Sequence, residues 1–181
     1  MPTPADQSRY QVRLDWGLAG LARLALADVT VIVDALETGA ESDEVASAAA
    51  AAGSAVIRAS MPTAAAAAQA VLDIQHERAA RTSVTLLACG ETDTHGQTRF
   101  CVEDLLASGA VADALAARGI DHTSPEVAAA CEAFRGLRGA IKHLFTASAS
   151  GQILIEQARR DEVLAAAQLD VPGEAKSGAS A

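Results

Sequence analysis

Val29-Thr30-Val31-Ile32-Val33, which runs straight into Asp34, and Val84-Thr85-Leu86-Leu87-Ala88, which runs into Cys89-Gly90-Glu91, decide the fold. The first is a β-branched run and the second has a buried-looking apolar centre, so both read as strands. Around them helix and strand alternate. Leucines at 18, 21 and 24 share a face and predict a helix over Leu18–Leu26. Ser42-Asp43-Glu44 puts a capping residue and acids ahead of a helix reaching about Ala52, and Gly53 stops it. Ala55 to Ala59, with Val56-Ile57 at its centre, predicts a short strand, and after the break at Pro62-Thr63 an alanine-built helix covers Ala64 to about Glu77. Glu91 to Arg99 is polar and reads as a loop. Helices follow over Val102–Ala117, over Pro125 to about Arg135 with Ser124 as N-cap, over Gly139–Thr146 and over Gln152–Leu169. The pattern predicts one α/β domain over residues 1–171, with helices layered on a mixed or mostly parallel sheet and a flexible Gly/Ser/Ala-rich tail over 172–181. The carboxyl ends of the strands are then the place to look for a site.

Composition narrows the class. The 181 residues carry 14 Lys and Arg against 23 Asp and Glu, a formal charge of −9, which argues against a groove that tracks a phosphate backbone. No nucleic-acid partner is expected. The opening MPTPADQSRY lacks the apolar core of a secretory signal, and no apolar stretch approaches the roughly 20 residues that span a bilayer. No membrane partner is expected either. Cys89, Cys101 and Cys131 are odd in number and widely spaced, which fits reduced thiols in a cytoplasmic protein.

The acids are the chemical signal. If the strands are parallel neighbours, Asp34 and Glu91 project from one edge, with Glu103 or Asp104 nearby at the start of a helix. Oxygen ligands of this kind suit Mg²⁺, and a cation would remove the repulsion among them. Each also has an ordinary explanation: acids are favoured in the first turn of a helix, and Asp34 could cap a strand end. Arg99 either holds a phosphate or sulfonate or pairs with Glu103 four residues on. Ser150-Gly151 either receives an anion on backbone N–H groups or caps a helix. Cys89, His95 and Cys101 match no zinc spacing, and Cys89 is expected to be buried. GxxxxGK, GxGxxG and GxSxG motifs are absent, leaving a hydrolase working through Ser150 or Cys89 as a remote reading.

The residues resemble a known family. Gln7-Ser8-x-Tyr10-x-Val12-Arg13-x-Asp15-Trp16-Gly17, then Ala27-Asp28-Val29 and Val31-Ile32-Val33-Asp34, look like the opening of the 2-phosphosulfolactate phosphatases. Ala88-Cys89-Gly90-Glu91 and Arg99-x-x-Val102-Glu103-Asp104-Leu105-Leu106-x-x-Gly109-Ala110-Val111 are similar to that family's most recognisable segment. Ser124-Pro125-Glu126, Phe134, Ser150-Gly151-x-x-Leu154 and Asp161-Glu162-Val163 follow in matching order. A small chain with a truncated sheet that exposes an edge or apolar face is expected to pair as a homodimer. The resemblance implies a Mg²⁺-dependent α/β phosphatase acting on a small phosphorylated acid, a step towards coenzyme M in some organisms. It implies Asp34, Glu91 and Glu103 as catalytic residues, and Arg99, Ser150 and Gly151 as substrate ligands. It implies Asp34, Glu91, Glu103, Asp104 and Asp161 as the metal set. The chain departs from the pattern after Asp34, where Ala35-Leu36-Glu37-Thr38 and Gly39-Ala40-Glu41-Ser42 replace the usual turns and a block of the N-terminal half is missing. That departure keeps open a catalytically degenerate relative acting as a binding or interaction module.

Overall fold

A computed structural model describes residues 3–169. The tail expected over 172–181 and the last two residues of the expected domain lie outside the described residues.

Four strands, β1 (Val12–Trp16), β2 (Val29–Val33), β3 (Ala55–Ala59) and β4 (Val84–Ala88), form one sheet in the order β1-β4-β2-β3. Every pairing in it is parallel, so the sheet is fully parallel rather than mixed. β2 and β4 sit at its centre and are buried along their whole length, as covering on both faces requires. β1 was not expected as a strand. Val12-Arg13-Leu14-Asp15-Trp16 nevertheless alternates apolar with charged residues, the pattern of a strand whose two faces differ. The stretch from Glu91 to Arg99 is also not simply a loop: β5 (Glu91–Thr92) pairs antiparallel with β6 (Thr98–Arg99) as a small hairpin.

Helices α1 (Gly17–Arg23) and α2 (Glu41–Ala51) cover one face, with Val45, Ala46 and Ala49 packed on Ile32, Leu87 and Cys89. Helices α3 (Ala64–Arg78), α4 (Val102–Ala116) and α5 (Pro125–Leu137) cover the other, against Val31, Val33, Leu86 and Ala88. Ser124 caps α5 as expected, its Oγ accepting from the Val127 N–H at 3.3 Å. Three short helices complete the chain: α6 (Ile141–Ala147), α7 (Ala149–Glu156) and α8 (Arg160–Ala166). These are the two or three shorter helical pieces expected over Gly139–Thr146 and Gln152–Leu169, the last stretch being divided at Ala158, whose φ is 62°. No described helix is long and apolar enough to cross a membrane.

This arrangement places the site. After β2 the chain turns to the face of α2, and after its neighbour β4 to the face of α4. The carboxyl ends of the two central strands therefore part and leave a crevice, the point at which ligands enter open parallel sheets.

Candidate active site

Asp34 leaves β2 one residue past Val33, and Cys89 leaves β4 at the same level, its N–H bonded to the Val33 carbonyl at 2.9 Å. Next to Cys89, Gly90 has φ +66° and lies so close to the β6 backbone that a Cβ would meet the Arg99 carbonyl oxygen at 2.4 Å. Only glycine fits there. Cys89 is buried, and burial followed by the charges of Asp34 and Asp104 drives its thiol far above the ordinary range. A thiol held protonated is no nucleophile.

Four acids surround this crevice in two different states. Asp34 is half-buried, and its carboxyl is pushed up to about 7, first by burial and then by Glu37, Glu41 and, more weakly, Glu103. The Leu36 amide, bonded to it, pulls the other way. Glu103, in the first turn of α4, is 2% exposed and has no hydrogen-bond partner among the described residues. Its neighbour Asp104 is equally buried but fully engaged: Oδ1 accepts from the Ala35 N–H and Oδ2 from the Gly90 N–H, each at 2.8 Å. Asp104 thus clips together the segments leaving β2 and β4. Burial and the Asp34 charge raise its pKa well above the usual carboxylate range, against the two amides.

Glu91 faces another environment. It is opposite Arg99 in the β5–β6 register, and the guanidinium donates to its Oε2 through both Nε, at 3.1 Å, and Nη2. Thr38 Oγ1 donates to its Oε1 at 3.2 Å. Burial would raise its pKa, but hydrogen bonds from Ser150 and Arg99 outweigh burial and hold it low. Arg99 therefore pairs with Glu91 across the hairpin rather than with Glu103, and its Nη2 also reaches Ser150 Oγ at 3.4 Å.

The Ser150-Gly151 turn corrects the expected anion site. Both residues lie inside α7, whose N-cap is Ser148, and the Gly151 N–H is already donated to Ser148 Oγ at 3.1 Å. A Cβ on Gly151 would meet the Phe145 carbonyl oxygen at 1.9 Å, so this glycine serves the close approach of α6 and α7. Asp161 is exposed in the first turn of α8 and makes no hydrogen bond to the other acids. The five acids expected as a metal set do not converge. Among the described residues, no three His, Cys, Asp or Glu side chains are placed to hold a metal ion.

On the β3 side of Asp34, away from β4, lies a cavity whose other residues the sequence reading did not single out as a site. Asp34 lines this cavity of about 170 Å³ together with Arg58, Ser60, Thr63, Ser42 and Glu37. Arg58 stands in register with Ile32, two residues short of the level of Asp34, so both point to the face of α2. Its Nη1 donates to Ser42 Oγ at 3.1 Å and its Nη2 to the exposed Asp43 at 2.5 Å. Ser60 and Thr63 close a capping box at the turn into α3. An arginine inside Ala55-Val56-Ile57-Arg58-Ala59 was the available signal, because a charge in an apolar strand needs a reason.

A family model described as 2-phosphosulpholactate phosphatase matches residues 36–172, well over half of the chain. No curated protein matches. The matched span takes in Arg58, Glu91, Arg99, Glu103 and Asp104 and begins two residues beyond Asp34.

Proposed function

The chain belongs to the 2-phosphosulpholactate phosphatase family, whose members are phosphoric monoester hydrolases, and on that premise we propose that it hydrolyses the phosphate monoester of a small sulfonated or carboxylated hydroxy acid in the crevice beside Asp34. The observation that carries this reading is one cavity holding both an acid that titrates near neutrality and a guanidinium, Arg58.

The volume of about 170 Å³ suits a phosphoryl group with a short organic chain and excludes a polymer. Arg58 attracts the phosphoryl oxygens by charge, its donors free to move from exposed Asp43 to a ligand. Ser60 and Thr63 line the same wall and add hydroxyl donors. Without a metal, Asp34, its pKa pushed up to about 7, takes the proton of the water that attacks the phosphorus as the ester oxygen leaves; holding Mg²⁺, it would instead be an anionic ligand.

The carboxylates that would hold Mg²⁺ are Asp34 and Glu103. They repel each other, and the Glu103 side chain accepts no hydrogen bond among the described residues, although the charge of Arg99 is within electrostatic reach. Since Mg²⁺ commonly takes only one or two carboxylates and keeps several waters, the pair meets its requirement without a third acid. Bound there, the ion would supply Lewis-acid polarisation of a phosphoryl oxygen. Asp104 ties together the segments leaving β2 and β4, and Glu91 is held by Arg99 across the hairpin, outside the cavity lining.

The test is phosphate release from a panel of phosphorylated hydroxy acids with Mg²⁺ and with a chelator. Arg58→Gln is expected to raise KM at least tenfold, the loss of one charge-assisted contact. No release from any substrate would remove the reading. A second reading, a relative that binds but does not turn over, is favoured by the departure from the family pattern after Asp34, where Ala35-Leu36-Glu37-Thr38 replaces the usual segment. Retained thermal stabilisation by a phosphorylated acid without turnover would select it. The homodimer expected from a small chain with a truncated sheet is checked by sedimentation, a monomer at micromolar concentration excluding it.

A further inference from the structure

The opposite edge of the sheet carries a second charged pocket. Arg9-Tyr10-Gln11 leads into β1 and Arg81-Thr82-Ser83 into β4, and the parallel pairing of those strands brings the two lead-ins together. With Arg13 they enclose a cavity of about 180 Å³ whose charged lining is three guanidiniums, Arg9, Arg13 and Arg81, and no carboxylate. On a chain of formal charge −9 this runs against the composition.

Arg13 is the unusual member. It is 5% exposed, its Nε donating to the Tyr10 carbonyl at 3.1 Å and its Nη1 to the Ala25 carbonyl at 2.8 Å. Nη2 has no hydrogen-bond partner among the described residues, and no described carboxylate forms an ion pair with Arg13. The two acids within electrostatic reach are committed elsewhere: Asp6 accepts from the Thr3 and Ser8 amides, and Asp28 holds Arg78 and Ser83. A guanidinium taken out of water without a directly paired carboxylate is costly, and an anion in the adjoining cavity offsets that cost. Burial lowers the pKa of Arg13, and the more distant charges of Asp6 and Asp28 offset only part of that shift. Arg81 spends only its Nε, on Gln11 Oε1 at 3.1 Å, while Arg9 is exposed with no hydrogen-bond partner among the described residues. Ser8 and Tyr10 add hydroxyl groups to the lining.

We infer that this pocket binds a small tetrahedral oxyanion of the size and charge of inorganic phosphate, held by Arg9, Arg13 and Arg81. Guanidinium groups match such an anion with paired N–H donors, and a cavity of about 180 Å³ has room for it. The site is separate from the crevice at Asp34 by the length of the strands, about 16 Å for five residues.

Inorganic phosphate titrated into the intact ¹⁵N-labelled protein, followed by amide chemical shifts, tests this directly. Saturable shifts are expected at residues 8–13 and 81–83, independent of any response at 34–42 and 58–63, which reports on the crevice. Arg9→Gln combined with Arg81→Gln leaves the buried Arg13 in place and is expected to weaken the first response at least tenfold while sparing the second. Shifts confined to the crevice, no shifts at all, or an undiminished response at 8–13 in the double variant would each overturn the inference.

Discussion

Asp34 and Glu91 both follow a central strand of the same sheet, yet they are held in opposite ways. Glu91 has a cross-strand arginine, a threonine hydroxyl and a serine around it, and its charge is settled. Asp34 has acids around it, one amide to help, and a pKa near 7. An acid whose charge is already satisfied serves structure, because a ligand gains little by approaching it. One held against its own repulsion has free energy to release to a cation or a proton, which makes it the better candidate for chemistry.

The largest effect expected from this contrast is Asp34→Asn, which should lower phosphate release by about 1,000-fold. The same variant should gain stability at pH 8. The folded-state pKa of Asp34 lies above its ordinary 3.8, so the folded protein binds the extra proton and stability falls as pH rises from about 4 to 7. Thermal melts of Asp34→Asn should lose that part of the slope and sit about 5 °C above the parent at pH 8. A melt below the parent would show that Asp34 is a structural acid like its neighbour.

Asp104→Ala comes next, because it strands two buried amides at once. Urea denaturation should show a loss of about 3 kcal/mol. Glu91→Gln should cost about 1 kcal/mol, since Arg99 is partly exposed and the pairing is screened. Its pKa is depressed, so this contribution is present above the ordinary glutamate range and is lost as pH falls through the lowered folded value. The variant should therefore match the parent in acid and fall behind it near neutrality. Phosphate release should stay within about threefold of the parent, and a loss as large as that of Asp34→Asn would erase the distinction between the two acids. Asp161→Asn, far out on α8, should change stability by less than about 0.5 kcal/mol and leave release unchanged.

Much of the architecture was legible in the chain. The apolar runs at Val29–Val33 and Val84–Ala88 gave the two central strands, because a strand covered on both faces has no polar alternation to disguise it. β1 was harder to read, since Arg13 and Asp15 break its apolar character and their reasons lie elsewhere in the fold. The acids Asp34 and Glu91, with Glu103 or Asp104 nearby, were picked out together; Asp34, Glu103 and Asp104 lie within electrostatic reach of one another, while Glu91 is paired with Arg99. Arg58 was passed over although a charge in an apolar strand marks it, because its partners Ser42 and Asp43 lie on α2, and Ser60 and Thr63 read only as a turn.

By itself, the order of residues determined the alternation of strands and helices, the central pair of strands and the family, because these depend on local pattern and collinear motifs. Tertiary structure alone decided which acid is neutralised and which is left repelling its neighbours. That outcome turns on pairings such as Arg99 with Glu91 across a hairpin and Asp104 with two separate strand ends. Charge compensation depends on distance and burial, which separation along the chain does not report.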